Sequence, residues 1–370
     1  MPVAVDPPSA STDAEPDADL RVSVASADRD VVPSAAVAGA APGQAQLARR
    51  MVLAVAAAFA LYVALAVWSD IAALQRALVG FRWDWLPLAL GLTVLNYCGR
   101  LAKWLWYLDV VGADVPRPVG VRIFGVGMAM VLTPGKVGEL LKSVMVRGVS
   151  GASMARTMPI VLAERLTDGL AMMLLAGIGL WGLDDPRVRL PALLALVAMV
   201  AVVAAVQFRP LADWLLGRGE RLSPLAGLMR QARHFYESAY TLLGPRNLAV
   251  SIAIGLVSWL CEGLAFYVVL RGLGVPPSGG TALTAVFIFS VATIVGAVVA
   301  TPGGLGGVEG TLVVLSTALL GLDEPSATAA ALIIRLATLW FGVAIGLASL
   351  AAWPHLLAAS AARPASGRAS

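Results

Sequence analysis

Charged side chains are scarce in this chain. Asp, Glu, Lys and Arg together make up 14% of its 370 residues, whereas a soluble globular domain carries roughly a quarter. Apolar residues of the AVILMFWYC set reach 59%, above the roughly half that such a domain contains. The composition therefore excludes an ordinary soluble enzyme and predicts an integral membrane protein.

Cysteine and histidine are also rare, at two residues each. Cys98 and Cys261 both fall within apolar stretches, where a thiol is more often a small buried hydrophobe than half of a disulfide. His234 and His355 are far apart and have no cysteine or acidic cluster around them. We therefore predict no metal site and no cofactor.

Motifs for nucleotide hydrolysis or nucleophilic catalysis are lacking as well. Gly135 and Lys136 do not form a P-loop, because Met130 stands where its first glycine belongs. Val137 likewise stands where the Ser or Thr of that motif belongs. Neither histidine has the partners of a Ser-His-Asp set. The sequence thus predicts a protein that is not an enzyme.

Long apolar runs, in contrast, are abundant. A helix of about 18 or more apolar residues can cross roughly 30 Å of hydrocarbon. Such runs occur near 51–68, 86–108, 158–182, 190–208, 249–271 and 326–353. Two more, 119–134 and 281–320, are interrupted by Pro and Gly. These runs predict an all-α, polytopic transmembrane protein.

The ends of the chain differ in composition from its middle. Residues 1–46 are rich in Ala, Pro, Ser and Asp, so we predict a disordered acidic tail there. Residues 355–370 are predicted to form a second disordered tail, which leaves the transmembrane domain at 47–354. Since the first apolar run begins only at about residue 51, we predict a retained span rather than a signal peptide.

Basic residues predict the orientation through the positive-inside rule. Arg49 and Arg50 precede the first apolar run, and Lys103 and Lys142 are counted among the basic residues of the segment after the second run. This count places the N-terminus and the C-terminus in the cytoplasm.

The longest polar stretch, 209–247, contains six arginines against three acids and is predicted to be a cytoplasmic connector. Aromatic residues at Phe235, Tyr236 and Tyr240 lie close to Arg230 in sequence. This pattern suits an amphipathic helix that lies on the membrane surface. A plain solvated connector is the alternative.

An internal repeat is visible in short matches that recur in the same order. The matches pair Trp106-Tyr107-Leu108 with Tyr267-Val268-Val269, Gly112–Pro116 with Gly272–Pro276, Thr133-Pro134-Gly135 with Thr301-Pro302-Gly303, Glu139 with Glu309, and Arg165-Leu166 with Arg335-Leu336. We therefore predict a duplication, with repeat one at about 86–182 and repeat two at about 249–353.

The charge count gives the two repeats opposite orientations in the membrane. It requires that 119–157 enters from the cytoplasm and returns to it, whereas 281–321 enters from the outside and returns there. Each repeat is therefore predicted to contain a re-entrant helical hairpin that is broken at Pro and Gly. Inverted repeats with paired interrupted helices are a recurrent plan of membrane transporters.

The breaks themselves suggest a binding function. Pro134 disfavours a helix through Thr133, which is expected to cap a new helix with Pro134 at its first position. Irregular backbone at membrane depth persists only where protein or a wet cavity satisfies it, and a helix N-terminus there suits a phosphate. The alternative is that the glycines only permit close helix packing.

Charged residues inside apolar runs are the second signal. Each costs roughly 2.5–3.5 kcal/mol near the bilayer centre on insertion scales, so such residues usually face the protein interior and pair. Arg165 and Arg335 occupy equivalent places in the two repeats and are predicted to flank a common cavity. There they would hold a phosphate diester or pair with Glu139 and Glu309. The structural alternative is a set of salt bridges that lock the halves together.

The predicted substrate-binding residues come from both repeats. They are Thr133, Gly135, Lys136, Glu139, Glu164, Arg165, Asp168, Thr301, Gly303, Gly304, Glu309 and Arg335. Backbone donors are expected from the Thr and Gly positions, and charge neutralisation from Lys136, Arg165 and Arg335. Glu164 and Asp168 are expected to share one helical face, because they are four residues apart.

Three segments resemble signatures of the lysylphosphatidylglycerol synthase transmembrane region family. They are Pro134–Lys142, Glu164–Asp168 and Thr301–Glu309, of which the third is the most specific. The resemblance covers about 50–353 and implies a flippase-like membrane domain. In the name-giving members this region is thought to move aminoacylated phosphatidylglycerol between leaflets. Standalone members occur beside glycosyltransferases.

The resemblance also shows a departure. Name-giving members carry a large soluble aminoacyltransferase domain after the membrane region, and no such domain is predicted in this sequence. Aminoacylation of lipid is therefore not expected. Lys136 and Lys142 stand where Arg is frequent in the family, which keeps the charge but loses the bidentate fork.

The function expected from the residues and the resemblance is lipid translocation in the bacterial inner membrane, with a phosphate-bearing lipid or glycolipid as substrate. The expected partners are membrane lipids, with a lipid-modifying enzyme or glycosyltransferase as a further candidate and no nucleic acid. Two alternatives stay open: a non-transporting scaffold of an envelope enzyme, and a secondary transporter of a small anion.

Overall fold

The computed structural model describes residues 71–133, 138–180, 186–220 and 226–356, and these residues form helices and connecting turns without a strand. The predictions for the acidic tail, for the first apolar run and for Pro134–Val137 lie outside the described residues. Nearly all of the predicted C-terminal tail also lies outside them.

Five helices of the described chain lie before residue 181, and the last four of them fall in the predicted repeat one. They are α1 (Ile71–Gly80), α2 (Leu86–Val110), α3 (Arg117–Ala129), α4 (Leu141–Ser150) and α5 (Met154–Leu180). Proline in the first turn begins α2 and α3, where its missing N–H has no helical partner to lose. Gly151 ends α4 in the left-handed conformation, which glycine adopts without steric cost.

The next three helices connect the two repeats. They are α6 (Pro186–Gln207), α7 (Arg209–Glu220) and α8 (Ala226–Leu242). α8 buries Ala239 and Leu242 and packs against α5 and α7, so the helical, amphipathic part of the prediction for this stretch is confirmed. Burial raises the pKa of Tyr236, whose hydroxyl donates to the Val206 carbonyl over 3.0 Å. A position on the membrane surface stays a prediction.

The last five helices contain the predicted repeat two. They are α9 (Pro245–Gly272), α10 (Gly279–Val299), α11 (Gly307–Leu320), α12 (Glu324–Arg335) and α13 (Phe341–Ala352). A π-helical turn, Leu336–Trp340, joins α12 to α13 directly after Arg335. Such turns inside α-helices are frequent at functional sites.

Several helices are long and apolar enough to cross a membrane. Within the described residues they are Pro245–Gly272, Gly279–Val299, Pro302–Leu320 and Glu324–Ala352, and a fifth results if α1 and α2, which are bent by 65°, form one span. The all-helical, multi-pass prediction is therefore confirmed. α5 and α6 lie at two further predicted spans but are not among these helices. Cys98 is exposed on α2 rather than buried as expected.

The two interrupted stretches differ in length. The second contains α10, with 21 residues, and the 19-residue segment Pro302–Leu320, which is long enough to span only if the break before α11 is counted, whereas α3 has 13 residues and α4 has 10. At 1.5 Å per residue, α3 reaches only about 20 Å. A re-entrant geometry for both stretches is therefore not confirmed.

The apolar core of the described residues has two main parts. One part contains Trp104, Tyr107, Ile123, Met145 and Ile160, from α2 to α5. The other part contains residues from α9 to α12, including Phe266, Phe287, Leu312 and Ile334, and also includes residues of α5 such as Ala171 and Leu175, so it packs the two repeats together. A small third cluster of Leu132, Leu305 and Val343 lies where the two breaks meet.

Four helix pairs of the described chain form the main contacts between the repeats: α2 with α9, α3 with α13, and α5 with both α9 and α10. The backbones of α3 and α13 pack closely, since a Cβ added to Gly346 would lie 2.1 Å from the backbone nitrogen of Ala129. At this contact, outside the two breaks, a glycine permits close helix packing.

Gly346→Ala is expected to destabilise the protein by about 1–3 kcal/mol, because an overpacked contact must be relieved by backbone shifts. Gly310→Ala in α11 is the matched control, since nothing lies within 4 Å of its added Cβ, and alanine is the better helix former by about 1 kcal/mol. Thermal denaturation of the purified proteins in detergent measures both. Equal midpoints for the two variants would contradict this packing.

Candidate functional site

A cavity of about 100 Å³ lies between the two repeats, with room for several water molecules at the roughly 10–15 Å³ that each needs. Among the described residues, its charged lining consists of Arg100, Glu139, Lys142, Glu262 and Arg335. Tyr97, Trp259, Thr293, Gly303, Gly304 and Thr338 contribute further polar or backbone surface. Both broken segments therefore reach one polar cavity.

The second break owes its shape to residues with positive φ. Gly303, Gly304 and Gly306 have φ values of 63°, 70° and 82°, and Ala300 has 56°. Side chains rarely adopt this region because Cβ clashes with the backbone. The turn is closed by the hydroxyl of Thr301, which donates to the Leu305 carbonyl over 2.7 Å.

The first break is closed by Thr133. Its hydroxyl accepts the N–H of Gly138 over 2.7 Å and donates to the Met130 carbonyl over 2.8 Å. Thr133 therefore caps the N–H of Gly138, which follows the four residues 134–137 that the structure does not describe. The breaks also touch each other, since a Cβ on Gly303 would meet the Leu132 side chain at 3.2 Å.

The same ion pair recurs in both repeats. Arg165 donates to Glu139, and Arg335 donates to Glu309 over 2.7 Å, with a separation of 26 residues in each case. A second N–H of Arg335 donates to the Gly303 carbonyl over 2.6 Å, and Glu309 accepts the N–H of Gly306 over 2.7 Å. Each pair therefore anchors a broken segment to a later helix of the same repeat.

Both recurrent pairs lie within a repeat, so these two salt bridges do not lock the halves together, as the structural alternative would require. Hydrogen bonds to backbone carbonyls do connect the repeats. Asn96 donates to the Ser258 carbonyl over 2.9 Å, and the hydroxyl of Tyr97 donates to the Thr338 carbonyl.

Repeat one contains two further buried ion pairs. Lys103 contacts Asp168 at 2.5 Å, and Lys142 contacts Glu164 at 2.7 Å. Lys142 also lies 4.5 Å from the ring centre of Trp104. Lys103 and Lys142 were counted as basic residues of a cytoplasmic segment, but both are buried. They therefore give no support to the predicted orientation.

Repeat two lacks these additional pairs. When Glu139 is aligned with Glu309 and Arg165 with Arg335, the positions of Lys142, Glu164 and Asp168 are taken by Leu312, Ile334 and Thr338. The repeats therefore share the pair that anchors the break and differ in the charges around it.

The predicted binding residues fall into three groups. Glu139, Gly303, Gly304 and Arg335 line the cavity. Thr133, Glu164, Arg165, Asp168, Thr301 and Glu309 are not part of its described lining, and Gly135 and Lys136 lie outside the described residues. The amides of Thr133 and Gly304 already donate to Met130 and Thr301 carbonyls, which corrects their predicted role as free donors.

Sequence analysis missed several cavity residues. Arg100 lies inside the apolar run 86–108, so the cost of burying a charge was a sufficient signal for it. Glu262 carried the same signal but was left out of the predicted set. Tyr97 and Trp259 had no local signal, because aromatic residues are common in transmembrane helices.

Comparisons with known proteins identify the family. Residues 51–346 match the family described as Lysylphosphatidylglycerol synthase TM region. Two proteins of Methanothermobacter thermautotrophicus (strain Delta H), both named UPF0104 membrane protein, are similar. One is 28% identical over 67% of this chain and 79% of its own length. The other is 24% identical over 77% of this chain and 88% of its own length. The chain is therefore a multi-pass membrane protein that belongs to the lysylphosphatidylglycerol synthase TM region family.

Proposed function

We propose that this protein is a lipid translocator. A phosphate-bearing head group enters the cavity between the repeats while the acyl chains stay in the bilayer. The observation that carries the proposal is the cavity itself, which is lined by both broken segments and by five charged residues of the described chain. A polar cavity of this kind lowers the large cost of moving a charged head group through hydrocarbon.

The internal symmetry supports an inverted-repeat transporter. The ion pair with 26-residue spacing occurs once in each repeat. In the predicted duplication, α2 is equivalent to α9, α3 to α10, and α5 to α12 and α13. The contacts follow a two-fold relation between the repeats, because α2 packs against α9, and the contact of α3 with α13 is equivalent to that of α10 with α5. In this plan substrate sites lie at the interface between repeats.

Alternating access is the proposed mechanism. The cluster of Leu132, Leu305 and Val343 joins the two breaks beside the cavity. In transporters built from inverted repeats, one repeat or bundle rocks against the other about such a central site. We propose transport rather than catalysis, in the inner membrane, with movement driven by a lipid gradient or by downstream consumption.

Purified protein in liposomes is expected to give dithionite quenching of fluorescent phospholipid well beyond the half that the outer leaflet contains. Thr293→Trp, which fills a position in the cavity wall, should return quenching to about half. Thr328→Trp is the control, because Thr328 makes the same hydrogen bond within a helix but is exposed and not in the described cavity lining.

Two results would contradict the proposal. If wild type stops at half for phospholipids and for polyprenyl-linked lipids, translocation is excluded and the scaffold alternative is favoured. If Thr293→Trp moves lipid as fast as wild type, lipid does not pass through this cavity.

A further inference from the structure

Arg100, which is partly buried, differs from the other cations in or near the cavity. Each of the others has a carboxylate partner: Lys103, Lys142, Arg165 and Arg335. Arg100 has no hydrogen bond and no ion pair with the part of the chain that the structure describes, although it lines the cavity. A guanidinium inside an apolar helix normally faces a polar partner, so its partner is expected in the cavity.

Trp259 provides a second hydrogen-bond donor beside Arg100 that has no acceptor among the described residues. The guanidinium carbon of Arg100 lies 5.9 Å from the centre of the indole ring, within the range of a cation–π contact. Trp259 is only 6% exposed, and its indole N–H has no hydrogen-bond partner among the described residues. Buried polar groups are nearly always hydrogen-bonded, so this N–H also indicates a missing ligand.

We propose that Arg100 and Trp259 bind the phosphate of the transported head group. The guanidinium, stacked on the indole, offers its N–H groups as a bidentate fork to two phosphate oxygens, and the indole N–H donates to a further oxygen. This inference rests on the proposed function and names the residues that recognise the substrate there.

The surrounding charges define the ligand class more closely. Glu262 lines the same cavity three residues after Trp259, and the carboxylate of Glu139 lines it as well, paired with Arg165. Carboxylates near the site repel added negative charge. The site therefore favours a singly charged phosphodiester, as in a phospholipid head group, over a more highly charged phosphomonoester.

Arg122 provides a matched control. Its guanidinium carbon lies 5.5 Å from the ring centre of Trp353, so the Arg-on-Trp contact is the same. Arg122 is not in the described lining of the cavity. Replacing Arg122 therefore removes an equivalent stacking contact and an equal charge without touching the proposed site.

The experiment measures binding to the full-length purified protein in detergent by native mass spectrometry. The probes are phosphatidylglycerol, diacylglycerol with the same acyl chains, and inorganic phosphate as competitor. Arg100→Gln is expected to weaken phosphatidylglycerol binding by about tenfold to a hundredfold, the loss typical of a charge-assisted hydrogen bond. Arg100→Lys should recover part of it, Trp259→Phe should lose several-fold, and Arg122→Gln should match wild type.

Further outcomes separate this inference from the proposed function. If Arg100→Gln binds phosphatidylglycerol and moves it in liposomes as wild type does, the inference is overturned while translocation stands. If binding depends on Arg100 but wild type moves no lipid, the phosphate site stands and translocation fails. Equal binding of diacylglycerol, or full displacement by millimolar inorganic phosphate, overturns recognition of a phospholipid head group.

Discussion

Lys103→Met is expected to lower the free energy of unfolding by about 3–5 kcal/mol, the usual loss when one partner of a buried ion pair is removed. The side chains of Lys103 and Asp168 are only 2% and 6% exposed, so water cannot replace the lost charge. Lys103 also lies 3.4 Å from the hydroxyl of Thr167. Chemical denaturation in detergent, or the fraction that stays monodisperse after heating, measures the effect.

The double variant Lys103→Met/Asp168→Asn is expected to recover most of this loss, because no unpaired charge is left in the apolar interior. Neither residue is in the described cavity lining, so the double variant should still move lipid in liposomes. A stable double variant without transport would instead assign Asp168 a direct functional role, as the sequence had predicted.

Arg335→Met is expected to have an effect of similar size, about 3–5 kcal/mol, and to act on the second break as well. It removes the partner of Glu309 and the donor to the Gly303 carbonyl together. Denaturation of the purified variant reports the stability. Limited proteolysis, with cleavage monitored at residues 301–306, reports whether the second break has become more accessible.

The double variant Arg335→Met/Glu309→Gln separates the effect of an unpaired charge from the effect of losing the Gly303 contact. The glutamine keeps an acceptor for the Gly306 N–H, to which Glu309 is bonded at 2.7 Å, and it removes the unpaired charge. We expect most of the stability to return while the break stays loosened, because the Gly303 contact is still absent. If the double variant is as unstable as the single one, the ion pair is not the main source of the loss.

The buried ion pairs of Arg165 and Arg335 affect how the transport activity of variants at these positions is interpreted. If Arg165 and Arg335 only neutralised a phosphate, as predicted from the sequence, alanine at either position would abolish transport in a folded protein. In the structure both arginines hold a buried glutamate, so loss of either is expected to impair folding as well. Arg100 and Thr293 line the cavity without a carboxylate partner among the described residues, which makes them the better test of binding and passage.

Helix positions were the most predictable part of the fold. The predicted spans 249–271 and 326–353 differ by a few residues from Pro245–Gly272 and Glu324–Ala352. A lipid environment leaves a single apolar segment few options, since every backbone group must be bonded within its own helix. The unequal lengths of the interrupted stretches were less predictable, because α10 and the segment Pro302–Leu320 are long and apolar enough to span while α3 and α4 are not.

The candidate site was only partly predictable. Glycine in the second break and the recurrent Glu and Arg positions were identified from the repeat, and Gly303 and Arg335 do line the cavity. Local spacing gave no partner for Asp168 beyond its shared helical face with Glu164. The actual partner of Asp168 is Lys103, 65 residues earlier, because α5 packs against α2.

By itself, the sequence determined that this is a multi-pass helical membrane protein of one family, with two breaks and several charges that cannot face lipid. Hydropathy and the cost of burying charge suffice for that, since both depend on residue type and segment length. The partner of each charge, and the position of Arg100 in the cavity lining without a carboxylate partner among the described residues, follow only from the tertiary structure. Pairing depends on which helices pack together, and packing brings residues from distant parts of the chain within hydrogen-bond distance.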